Sequence, residues 1–152
     1  MREILFRGKA INRDKGYHRT NYKNGDWVYG LITRLYDEQF ENLPAEMTDM
    51  GVNGIEIDYK TIGQYTGLTD KNGTKIFEGD IGRYKQTDGA KINGKPIICI
   101  GKVVYNEKTA SFAVDSKDEI GAKNYDYFPI KDFEIIGNIH DNPELLKGGG
   151  EE

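Results

Sequence analysis

Glu78 and Asp80 form the most conspicuous acidic pair of this chain, in the run Ile76-Phe77-Glu78-Gly79-Asp80-Ile81. Two carboxylates at i and i+2 of a strand share a face, where they can hold a cation or divide acid and base work. A turn at Gly79 gives them another task, because an Asp beside a Gly in a turn accepts backbone amide hydrogen bonds. We read the pair as turn architecture and place a metal-dependent phosphodiesterase last among the alternatives. Other chemical groups are sparse: His18, His140 and Cys99 are the only histidines and cysteine. Their spacing matches no zinc site. His140 is a lone histidine between Asn138 and Asn142, and we expect a satisfied polar residue beside a C-terminal turn. Cys99 sits in Ile97-Ile98-Cys99-Ile100 and is expected to be a buried, structural thiol. Gly73-Thr74-Lys75 lacks the glycine spacing of a phosphate-binding loop. No catalytic residue, metal ligand or cofactor is assigned, and the chain is expected not to be an enzyme.

Binding chemistry has more to work with. Arg13, Lys15, Tyr17, His18, Arg19, Tyr22 and Lys23 crowd one stretch, and Lys123, Tyr125 and Tyr127 another. Rings beside cations can stack on bases or grip a protein at little rotamer cost. The same composition also describes an ordinary solvated loop. The candidate contact residues are Tyr17, Arg19, Tyr22, Lys123 and Tyr125. A formal net charge of −4 disfavours duplex DNA and single-stranded nucleic acid as partners. No apolar run approaches twenty residues, and the opening MREILFRGK has no signal-peptide core. We expect no membrane span and a cytoplasmic location, which the lone cysteine also suits.

These side chains must be carried by strands. Glu3 to Ala10 alternates as a strand does, with Ile4 and Phe6 on one face and Leu5, Arg7 and Lys9 on the other. Further strands are expected over Trp27–Leu35, Ile55–Tyr65, Ile81–Gln86, Pro96–Tyr105, Ala110–Asp115, Tyr127–Ile130 and Phe133–Ile139. Arg13–Asn24, Tyr36–Gly54, Thr87–Lys95 and Ser116–Tyr125 read as loops. Asn72-Gly73 reads as a tight hairpin turn with both residues at positive φ, and Gly79-Asp80 as a second turn. Gly63 and Gly67 flank Gln64-Tyr65-Thr66 as a bulge or close backbone approach. Asn142-Pro143 starts one helical turn, with Asn142 as its cap. The class is all-β: a small barrel or sandwich, with a C-terminal half from Gly79 onward that resembles an SH3-like barrel.

With 152 residues the chain suits a single domain over 1–147, followed by a disordered tail at 148–152. A faint echo between Asp58–Gln64 and Asp132–Asn138 raises the alternative of two fused β units, about 1–68 and 69–147.

Three blocks carry a resemblance: REILFRGK at Arg2–Lys9, IGQYTGLTDKNGTKIFEGDI at Ile62–Ile81, and EIIGNIHDNPELL at Glu134–Leu146. In order and spacing they resemble the YopX-like family of phage and prophage proteins. That resemblance implies a compact all-β fold and a mobile-element origin, and brings no activity with it. Gly63, Gln64, Tyr65, Gly67, Asn72, Gly73, Glu78, Gly79 and Asp80 of the central block are read as structural. We expect a non-catalytic accessory protein whose loops grip a host protein in the bacterial cytoplasm. The rival reading is a pocket that sequesters a small nucleotide-like ligand. Homo-oligomerisation is left open.

Overall fold

A computed structural model describes residues 1–11, 21–34 and 50–147. Its strands are β1 (Phe6–Ala10), β2 (Trp27–Gly30), β3 (Ile32–Arg34), β4 (Met50–Val52), β5 (Ile55–Thr69), β6 (Lys75–Phe77), β7 (Asp80–Lys85), β8 (Lys91–Ile92), β9 (Lys95–Pro96), β10 (Ile98–Asn106), β11 (Ser111–Asp118), β12 (Lys123–Tyr127) and β13 (Glu134–Asn138). A 3-10 turn over Pro143–Lys147 follows. The fold is all-β, as expected, and among the described residues none of the sheets closes into a barrel. Among the described residues no helix is long and apolar enough to cross a membrane.

The chain divides into two compact units, Met1–Tyr65 and Thr66–Glu152. The first holds the strand order β2-β1-β5-β4-β3. Its core is Ala10, Val28, Val52 and Ile57, with Ile55 and Ile62 packed against it. The single strand expected over Trp27–Leu35 is broken in two. The Asn53 side chain accepts from the Leu31 amide and donates to the Tyr29 carbonyl, satisfying the backbone at the break. β4 and β5 are joined by Asn53-Gly54, with φ of 50° and 77°. Asn93-Gly94 joins β8 to β9 in the same way, with φ of 50° and 75°. These are the Asn-Gly hairpins of the chain, inside stretches that the sequence reading left as loops.

Asn72-Gly73 is built differently. Only Gly73 has positive φ, at 82°. The turn spans Asp70 to Thr74, closed by Asp70 N–H to Thr74 O and by Gly73 N–H to Asp70 O. The Asp70 carboxylate accepts from the amides of Asn72, Thr74 and Ile135. With that carboxylate satisfying the turn, the second central residue stays in ordinary backbone space. Asp118 does the same for Ile120 and Ala122 at the β11–β12 connection. Both turns read Asp-x-x-Gly: Asp70-Lys71-Asn72-Gly73 and Asp118-Glu119-Ile120-Gly121.

In the second unit β6 pairs with β5, and a five-stranded antiparallel sheet runs β12-β11-β10-β7-β13. One face of that sheet buries Tyr84, Cys99, Val103, Val114 and Phe133 with Ile76 and Ile130. The expected loop Ser116–Tyr125 is mostly strand, since β11 reaches Asp118 and β12 starts at Lys123. Conversely, Phe128 to Ile130 lies outside any strand. Asn142 directly precedes the turn as expected and its carbonyl accepts from Leu145 N–H, but its side-chain oxygen accepts from Asn138 N–H instead of capping the turn.

Candidate functional site

Several residues of the central block bond the backbone. Thr66 donates to the Ile76 carbonyl, and the buried Asp80 carboxylate accepts from the Phe77 amide at 2.8 Å. Gly63 and Gln64 lie opposite Arg7 and Phe6 in the β1–β5 ladder, and the amide of the buried Tyr65 donates to the Leu5 carbonyl. Gly67 and Gly79 both sit at φ of 88°. Among the described residues no group of three or more His, Cys, Asp and Glu side chains is arranged to hold a metal.

A concavity lies elsewhere, on the face of the five-stranded sheet opposite its core. Strand alternation puts Ile98, Ile100 and Lys102 of β10 on that face, since Cys99 and Val103 point into the core. The ladders then fix what stands beside them. Ile100 is opposite Arg83 on one side and Lys117 on the other. Lys117 is opposite Lys123, and Arg83 is opposite Glu134. One transverse row therefore reads Glu134, Arg83, Ile100, Lys117, Lys123 across all five strands. In the next row Lys102 faces Asp115, and Asp115 faces Tyr125.

The two ends of the first row differ electrostatically. Arg83 and Lys71 both reach a carboxylate oxygen of Glu134, at 2.9 and 3.0 Å, and hold its carboxyl below the usual range. At the other end two lysines stand directly opposite each other, a cross-strand arrangement that destabilises a sheet. Around this row the groove encloses about 690 Å³, and Leu145 and Leu146 of the C-terminal turn form part of its wall. Its cations are Arg83, Lys102, Lys117 and Lys123, set against Asp115, Asp118 and Glu119. The Glu119 carboxylate accepts from the Ile98 amide.

The register beneath is held by a polar network on the core side. Tyr84 of β7 donates to Asp126 of β12 at 2.6 Å and shares a hydrogen bond with Ser116 of β11 at 2.9 Å. Thr87 bonds the other Asp126 oxygen, and Asn124 bridges Gln86 to Asp118. Burial and then the Asp126 carboxylate push the Tyr84 hydroxyl far above its ordinary pKa, so it stays a neutral donor. Burial pushes the Cys99 thiol up to about 11.

Of the residues singled out from sequence, Lys123 lines the groove. Tyr125 stands on the same face one row away, its ring edge-on to Tyr127 with centroids 5.5 Å apart. Tyr22 is partly exposed and is not part of the groove. Tyr17 and Arg19 lie outside the described residues, as do the tail 148–152 and most of the Tyr36–Gly54 region. Arg83, Lys102, Lys117, Ile98, Ile100, Leu145 and Leu146 were missed. The alternation Ile98-x-Ile100-x-Lys102 was a readable signal, but only the pairing of strands joins it to the others.

A family model described as YopX protein matches residues 9–147. The chain belongs to the YopX family. The match takes in every residue of the groove in this YopX-family chain. No curated protein matches it. Among solved structures, the crystal structure of protein EF1440 from Enterococcus faecalis is similar with a TM-score of 0.43 and 20% identity, covering 95% of this chain and 98% of that one.

Proposed function

We propose that this chain is a non-catalytic binding module and that the groove on its five-stranded sheet engages a partner protein. The phage setting implied by the family resemblance makes that partner a host protein. The observation that carries the reading is the Lys117–Lys123 register. A like-charge pair costs stability where it stands, and a bound anionic group repays it. The sheet offers a rigid platform, locked from behind by Tyr84, Ser116 and Asp126. An aliphatic floor with a charged surround is the anatomy of a protein contact.

The nucleotide-like ligand stands as the second reading, because about 690 Å³ falls within the small-molecule range. Against it, no aromatic ring lines the groove to stack on a base.

Affinity capture from host lysate tests the proposal, comparing wild type with the Lys102→Glu and Leu146→Asp variants. Both proteins and small molecules are identified by mass spectrometry. Loss of one protein with both variants, at an unchanged melt, supports the reading. Recovery of the same proteins by all three overturns it.

A further inference from the structure

We infer that the outer edge of β12 is a homodimerisation edge: two copies of this chain pair β12 with β12, antiparallel, about a two-fold axis at Tyr125. The pairing does not depend on what enters the groove.

The two edges of the five-stranded sheet are finished differently. Along β13 the outward backbone is taken up within the chain. Ile135 N–H donates to the Asp70 carboxylate and Asn138 N–H to the Asn142 side chain, and the Phe133 carbonyl accepts from Lys71 N–H. β12 has no such cover. Asp118 N–H donates to the Ala122 carbonyl and Phe128 N–H to the Phe112 carbonyl, which sets the even-numbered residues of β12 toward β11. Lys123, Tyr125 and Tyr127 therefore turn their N–H and C=O groups outward. Among the described residues nothing bonds those groups. An open row of donors and acceptors is a template for another strand. With the β13 edge taken up, pairing through this sheet closes at two copies.

The residues of β12 select both the partner and the register. Lys123-Asn124-Tyr125-Asp126-Tyr127 can lie antiparallel on itself. An axis at Tyr125 sets Lys123 against Tyr127 at both ends and Tyr125 against its own copy. All of these are outward-facing residues, and each pair exchanges both main-chain hydrogen bonds. An axis at Asn124 loses one of those pairs. Axes at Lys123 or Asp126 set like charges directly opposite each other. In the Tyr125 register Asp126 stands opposite Asn124, with no charge against it. Each Lys123 ammonium meets the ring of Tyr127 from the second copy, a cation beside an aromatic face. Lys123, Tyr125 and Tyr127 lie on the groove side of the sheet, so the second copy brings its Tyr127 to the Lys123 end of each groove. One strand edge supplies less area than a stable dimer needs, so association is weak and concentration-dependent.

Sedimentation velocity on the full chain, from micromolar to near-millimolar concentration, should show a monomer–dimer equilibrium. Tyr125→Lys sets like charges at the axis, while within one copy the new ammonium stands opposite Asp115 of β11. The variant should keep its melt and dimerise severalfold more weakly at low salt. Tyr125→Cys and Tyr127→Cys read the register. Opposite Cα atoms of a hydrogen-bonded pair lie about 5.5 Å apart, within disulfide reach. The two copies of position 127 are roughly 14 Å apart along the strands, out of reach. With oxidised glutathione, Tyr125→Cys should give a covalent dimer on a non-reducing gel and Tyr127→Cys far less. Cys99 is buried, so wild type should give none. Monomer at every concentration overturns the inference and leaves the edge to a strand of some other protein. A dimer unaffected by Tyr125→Lys overturns it too, as does equal cross-linking of the two cysteine variants.

Discussion

Asp70→Ala is the sharpest perturbation of this fold. Asp70 is 8% exposed, and its carboxylate accepts three amides: Asn72 at 2.9 Å, Thr74 at 2.9 Å and Ile135 at 3.1 Å. The first two close the Asp-x-x-Gly turn, whose tip is exposed, so water replaces them in part. The third ties that turn to β13, and the half-buried Ile135 amide loses its acceptor outright. Hydrogen bonds to a charged group contribute about 1.5–3 kcal/mol each, and an orphaned buried donor costs about 1–3 kcal/mol. Counting the two turn bonds at the low end and adding the orphaned amide gives a loss of roughly 4–6 kcal/mol. At this chain length that lowers the thermal midpoint by about 10–20 °C, at roughly 2–4 °C per kcal/mol. The assay is a thermal melt by circular dichroism with amide hydrogen exchange. Asp70→Asn retains an acceptor for the turn but sets an amide group against Ile135 N–H, so it should lose about half as much. Exchange at Ile135 should accelerate in both variants. A midpoint for Asp70→Ala within 2–3 °C of wild type would refute the argument that this carboxylate joins turn and sheet.

Three further outcomes are expected. A Cβ on Gly82 would stand 1.9 Å from the ring of the fully buried Phe133, so Gly82→Ala should cost at least about 1–3 kcal/mol by overpacking, read in urea denaturation. Cys99 is 0% exposed with its thiol pushed up to about 11, so a thiol reagent at pH 8 should label it only in denaturant. Because its folded pKa exceeds the unfolded one, its contribution to stability is fully present below the unfolded thiol pKa and is lost as pH rises toward about 11. Glu134 titrates below the ordinary glutamate range because Arg83 and then Lys71 hold the carboxylate; its stabilising effect is present above that range and fades as pH falls, and Glu134→Gln should flatten this part of an acid melt series.

Much of the backbone could be read from residue types. Alternation of apolar and polar residues, with Gly and Asn as punctuation, located most strands of the all-β fold and the burial of Cys99. The turn duty of Asp80 and Gly79 was legible because small polar residues beside Gly have few other uses. Two hairpins carried the same Asn-Gly signal at Asn53-Gly54 and Asn93-Gly94 and were passed over inside polar stretches. The Asp-x-x-Gly turns were also present in the letters, and recognising the second would have extended β11 and placed Lys117 opposite Lys123.

Only the tertiary structure decided the rest of the groove. A period of two says which side chains of one strand share a face, but not which residue of another strand stands beside them. Arg83 reaches the row through the β7–β10 pairing, Glu134 through β13, and Leu145 and Leu146 through the turn that walls the groove. That register depends on the buried contacts of Tyr84 with Ser116 and Asp126, between residues 32 and 42 positions apart. No local pattern encodes a contact at that range, because its energy exists only once the strands have met.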